Sequence, residues 1–182
     1  MLSGAFSAKT KDGTIYYRSS LTYKRKHISL GSFPTEEEAH LAYKEGTSLL
    51  SESEITLGNY TAYIKLLDFA KAITLLNFRD NGVYIKNPIY LKQNYFLYFL
   101  APQTEYKFDI DDLFFYSSHK IMQRGGRLFV NEYGMQTGIL SRYGVRNHAV
   151  LDVDYTFANG NPFDYSYANI CLLYTSPSPR DS

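Results

Sequence analysis

Residues 13–46 read "GTIYYRSSLTYKRKHISLGSFPTEEEAHLAYKEG", and this stretch decides the fold. Ile15, Tyr17, Ser19 and Leu21 alternate with Tyr16, Arg18, Ser20 and Thr22, which predicts a strand over 14–23 with one core face and one face for water or a ligand. Lys24-Arg25-Lys26 is the turn that follows, and a further strand runs over 27–33. Upstream, Lys11-Asp12-Gly13 offers the positive backbone angles of a tight hairpin and sets off a short strand over 4–8. After Pro34, Thr35 can cap a helix and Glu38 stands at the capping-box spacing. Ala39, Ala42, Tyr43, Gly46 and Leu49 then recur at helical spacing, a stripe small enough to lie close on a sheet. The expected fold class is α+β: over residues 1–53, a small three-stranded antiparallel sheet packed on one helix.

Charge separates between these elements. The whole chain of 182 residues has a formal net charge of only +1, so no global pull toward nucleic acid or membrane follows. Residues 1–33, however, carry Lys9, Lys11, Arg18, Lys24, Arg25 and Lys26 against Asp12 alone. Residues 34–54 carry Glu36, Glu37, Glu38, Glu45, Glu52 and Glu54 against Lys44 alone. The exposed sheet is therefore the basic side. A β-ribbon fits the DNA major groove, where outward side chains touch base edges and flanking lysines meet phosphates. The outward set is Tyr16, Arg18, Ser20, Thr22, His27 and Ser29, with Lys9, Lys11 and the Lys24-Arg25-Lys26 turn for phosphates. A plain solvated sheet face, its charged turn discouraging edge pairing, would show the same pattern.

The segments "YYRSS" and "KRKHISLGSFPTEEEAHLAYKEG" resemble the DNA-binding domain of plant ethylene-response (Apetala-type) factors and its bacterial and phage relatives. The matching residues are Arg18, Lys24, Arg25, Lys26, Leu30, Gly31, Phe33, Thr35, Glu37, Glu38, Ala39, Ala42 and Tyr43. The resemblance implies binding of double-stranded DNA through the sheet face, with Arg18, Lys24, Arg25, Lys26 and His27 as contacts. The family's tryptophans and several of its strand arginines are missing here, so the base-reading set departs from the family pattern.

Residues 55–78 suggest one or two helices, closed by the turn signal Arg79-Asp80-Asn81-Gly82. Residues 83–90, broken by Pro88, read as an edge strand or a bound loop. Asp109, Asp111 and Asp112 open a helix that closes on Arg124. Three carboxylates could hold a divalent ion, but without another ligand cluster they read as negative charge at a helix N-terminus, and no metal or cofactor is expected. His119 is read as structural. A strand over 127–130, a helix over 136–143 and a turn at Asn159-Gly160 complete a mixed α+β region, residues 54–170, with a ββα-like end.

Within that end, "FANGNPFDYSYANI" resembles the His-Asn-His endonuclease motif: Asn159, Gly160, Asn161, Asp164, Asn169 and Ile170 fall on it. Phe157 stands where the first histidine belongs, and Tyr165 and Ser166 replace the usual Asn-Arg pair. Such nucleases need a base to deprotonate water, which phenylalanine cannot supply. The arrangement looks like proteins of low-GC Gram-positive bacteria and their phages that join a degenerate homing-endonuclease-like region to ethylene-response-type domains.

These readings converge on a DNA-binding protein of mobile-element or phage origin, its nuclease-like motif lacking the catalytic histidine, with no small-molecule substrate identified. Two others compete with it: a metal-dependent endonuclease using a displaced base such as His148, and an interaction module whose sheet binds acidic protein. The longest apolar run, near residues 95–101, is too short for a bilayer, and the N-terminus lacks the layout of a signal peptide, so a cytoplasmic protein is expected. Cys171 is the one cysteine, which permits no internal disulfide. Back-translated, residues 171–181 can be spelled as a sequencing-library adapter; residues 171–182 are expected to be a non-native tail, with the native fragment ending near Ile170.

Overall fold

A computed structural model describes residues 2–173 of the chain. The chain divides into two compact units, residues 1–90 and 91–182, so residue 53 falls inside the first. The fold is mixed α+β.

In the first unit, β1 (Ala5–Lys9), β2 (Ile15–Tyr23) and β3 (Lys26–Phe33) form an antiparallel sheet in that order, followed by α1 (Glu36–Ser51). The Thr35 hydroxyl accepts the Glu38 N–H at 3.1 Å and so starts α1 where the sequence places it. Ala39, Ala42, Gly46 and Leu49 are buried between helix and sheet. A Cβ on Gly46 would come within 2.9 Å of Leu21, so glycine sets how close the helix lies on β2. Across the same seam the Ser19 hydroxyl donates to the Ala39 carbonyl at 2.7 Å. Ile15 was expected on the core face but is 52% exposed, because it lies at the strand end beside Lys9.

Beyond α1 come a 3-10 turn (Tyr60–Tyr63) and α2 (Phe69–Asn81), whose left-handed C-cap Gly82 ends it at the expected turn. Arg79 joins the two helices. Its guanidinium donates to the Leu49 and Glu52 carbonyls at the end of α1 and pairs with Asp80 at 2.7 Å. Glu45, nearly buried on α1, accepts the Lys65, Leu66 and Leu67 N–H groups at 2.9, 3.1 and 2.9 Å. One carboxylate thereby fixes the path of the connecting segment. Beyond Pro88, β4 (Ile89–Leu91) runs across the division between the units.

In the second unit β5 (Tyr95–Ala101) and β6 (Thr104–Asp109) form a hairpin, and β6 is joined in parallel by β11 (Asp164–Tyr165). Against it lies α3 (Leu113–Ser118), with Phe96, Phe108 and Tyr116 in ring contact. A second sheet runs through β7 (Met122–Arg124), β8 (Arg127–Glu132) and β9 (Met135–Gly138), then a 3-10 turn, Ile139–Tyr143. Last come β10 (Tyr155–Phe157) and its antiparallel partner β12 (Ile170–Leu172).

Two expectations are corrected here. The helix read from Asp109 to Arg124 ends at Ser118: the Ser117 hydroxyl donates back to the Phe114 carbonyl, and His119 Nδ1 lies 2.8 Å from the Phe115 carbonyl oxygen. Arg124 instead closes the first strand of a hairpin turned by Gly125 and Gly126, both at positive φ. Residues 136–143, read as a helix, are half strand, because the Tyr133–Gly134 turn folds Gln136 back onto Asn131. Of the residues read as a tail, Cys171 and Leu172 belong to β12 and the Leu173 N–H donates to the Asp154 carbonyl at 2.9 Å; 174–182 lie outside the described residues. No helix among the described residues is long and apolar enough to cross a membrane.

Candidate nucleic-acid interface

Register places the site, because residues opposed in an antiparallel pair share a face. Phe6 opposes Arg18, Arg18 opposes Ser32, Ser20 opposes Ser29 and Thr22 opposes His27. This face turns away from α1, toward which Leu21 and Ile28 point. Phe6, Arg18, Ser20, His27, Ser29 and Ser32 line a shallow concavity of about 510 Å³. Tyr16 and Thr22 continue the face on either side of Arg18 and Ser20, and none of these residues is acidic. Ser20 is only 8% exposed and forms the floor rather than the rim.

Two lining residues, Phe6 and Ser32, were missing from the sequence-read set. Ser32 is there because Ser19 pairs with Gly31 while Ser20 pairs with Ser29, leaving Leu30 as an extra residue in β3. Leu30 is then buried on the helix side, Gly31 stands exposed opposite Ser19, and Ser32 turns outward. The sequence signal was Gly31, a glycine inside a strand pattern, which stands at φ +123°.

The cations divide into three groups. Arg18 Nη2 donates to the Tyr16 hydroxyl at 3.1 Å, which holds the guanidinium over the outward face. Lys24 and Arg25 form the two-residue β2–β3 turn, both exposed and both at positive φ, +48° and +68°. Lys26 is different: it already belongs to β3 and opposes Tyr23, whose ring meets Phe78 edge-on, and its ammonium lies 4.7 Å from the Tyr84 ring. It therefore sits on the helix side, because the turn is two residues long rather than three. Lys9 opposes Ile15 and shares that side.

In the second unit the His-Asn-His-like segment is a hydrogen-bonded loop. Asn159 Nδ2 donates to Asp164 at 2.9 Å, the Asn159 N–H to Asn169 Oδ1 at 2.8 Å, and Asn169 Nδ2 to the Asp164 carbonyl at 2.9 Å. The Asp164 carboxylate also accepts the Ser166 N–H and hydroxyl. Burial alone would raise this carboxyl, but the bonds from Ser166 and Asn159 outweigh it and hold it below the usual range. Phe157, at the position of the motif's base, is buried against Tyr155 and Tyr165. His148 stands in an exposed loop at φ +64°.

Two of the three aspartates have structural work. Asp109 accepts the Tyr167 N–H at 2.7 Å; buried Asp112 holds Arg142 at 3.2 Å and the Tyr167 hydroxyl at 2.9 Å; Asp111 is exposed. Arg142 in turn stacks 3.6 Å from the Phe115 ring centre. Among the described residues no group of three His, Cys, Asp or Glu side chains is placed to hold a metal ion. Compared with family models, curated proteins and solved structures, the chain matches none, so the family resemblance rests on the residues quoted above.

Proposed function

We propose that the chain is a double-stranded DNA-binding protein of mobile-element or phage origin that lays the outward face of β1–β3 in a major groove. The observation that carries this reading is one acid-free face gathering Arg18, Ser20, Thr22, His27 and Ser29, ended by a turn that thrusts Lys24 and Arg25 outward. In this reading the Arg18 fork addresses a guanine edge, and Tyr16, Thr22, His27 and Ser29 supply donors and acceptors beside it. Lys24 and Arg25 meet phosphates. The turn supports the assignment independently. Such two-residue hairpin turns favour Asn-Gly because both residues have positive φ, yet here two cations occupy them. Backbone conformations held at a cost cluster where function needs them.

Water-activating chemistry is no part of the proposal, since a buried phenylalanine stands at the motif's base position. The reading carries with it a cytoplasmic place of action, where bacterial or phage DNA lies. A mobility shift with the full chain and random-sequence duplex at low salt tests it. A retarded complex that weakens in Arg25→Gln is expected; no complex with DNA, or one indifferent to Arg25→Gln, contradicts it.

A further inference from the structure

We propose that the second unit carries a nucleotide-binding cleft, between the β7–β8 hairpin, the Ile139–Tyr143 turn and the loop over 145–151, with Arg127 and Arg146 for the phosphate and Tyr155 for the base. The cleft has a volume of about 420 Å³, within the range of about 300–1,000 Å³ usual for ligand sites. Its lining is mixed: Arg127, Arg146 and Asn147 are polar, and Leu140, Val145 and the Tyr155 ring are apolar. No carboxylate lines it.

The acids close by in sequence are held by the loop's own donors. Asp154 accepts the Val150 N–H at 2.8 Å, and Asp152 accepts the Thr156 hydroxyl at 2.8 Å. Arg127 makes no ion pair among those of the described residues, and its charge acts on Tyr155: burial raises that phenol, Arg127 works against the rise, and Asp152 adds to it. A guanidinium fork suits phosphate oxygens, and a half-buried tyrosine ring suits the face of a base. A ligand that is anionic in one part and flat and apolar in another answers both kinds of lining residue. That is the chemistry of a nucleotide, free or within a single strand.

Calorimetric titration of the full chain with dAMP, inorganic phosphate and single-stranded oligodeoxyadenylate tests the cleft, alongside Arg127→Ala, Arg146→Ala, Arg127→Lys and, as a control for the sheet face, Arg18→Ala. Saturable dAMP binding that weakens about tenfold or more in Arg127→Ala and Arg146→Ala, less in Arg127→Lys and not in Arg18→Ala, is expected. Binding of the oligonucleotide more tightly than dAMP identifies a strand as the source, and the reverse a free nucleotide; either supports the site. Absence of binding by both, indifference to the two alanine variants, or phosphate binding as tight as dAMP overturns it. The Arg18→Ala arm keeps failure here distinct from failure of the DNA-binding reading.

Discussion

Arg18 and Tyr16 lie on the same face of β2, and the Arg18 guanidinium donates to the Tyr16 hydroxyl at 3.1 Å. If the face binds DNA as proposed, the phenol orients the fork beforehand, which lowers the entropy lost on binding. Tyr16→Phe keeps the ring and removes the acceptor. The expected result is a fall in duplex affinity of about 0.5 to 1.5 kcal/mol, the net value of one such bond, with thermal stability unchanged. Fluorescence anisotropy and a melting curve on the same preparation read both.

In the proposed DNA-binding role, Lys24 and Arg25 would set stability against binding. Both occupy left-handed backbone, which costs a side-chain-bearing residue about 1 to 2 kcal/mol. Replacing the pair by Asn-Gly should raise stability by roughly 1 kcal/mol or more and lower the salt slope of DNA binding by about two units, one per lost phosphate contact. Lys26→Gln, on the helix side over Tyr84, should leave the slope unchanged. Binding isotherms across a salt series, with urea melts, decide the matter.

Glu45 shows how a single acid holds the first unit together. In Glu45→Gln one oxygen becomes an amide donor facing backbone N–H groups at Lys65 or Leu67, a loss of about 1 to 3 kcal/mol. Exposed Glu37→Gln on the same helix should change stability by no more than about 0.5 kcal/mol. Chemical denaturation of both variants compares them.

Asp164 ties the His-Asn-His-like loop to pH. Its carboxyl is held below the usual range, so its contribution is fully present above the unfolded value of about 3.9 and is lost as pH falls through the lower folded value. Asp164→Asn should therefore be less stable than the parent at neutral pH, with the gap closing below about pH 4. Urea midpoints measured from neutral to acidic pH give the gap directly; a gap independent of pH contradicts the assignment.

The first unit was legible where local chemistry acts alone. Strand alternation placed β2, Asp-Gly placed the first turn, and Thr35 placed the start of α1. The site was half legible: Arg18, Ser20, His27 and Ser29 share one concavity, but Ser32 needed the bulge at Leu30 and Phe6 needed the β1–β2 register. Lys26 was misplaced because a two-residue and a three-residue turn look alike in sequence when every residue is basic. Glu45 and Arg79 were invisible for another reason. Their partners are backbone groups 20 to 30 residues away, and backbone groups leave no mark in composition. In the second unit, Gly125-Gly126 and Tyr133-Gly134 were turn signals that outranked apparent helical periodicity.

Whether Arg18 reads a base is decided by selection from random duplex DNA with the full chain and with Arg18→Ala. The parent is expected to enrich a short motif containing a fixed guanine, and Arg18→Ala to lose preference at that one position, worth about 1 to 3 kcal/mol, while keeping the rest. No enriched motif, or the same motif from both proteins, would contradict it.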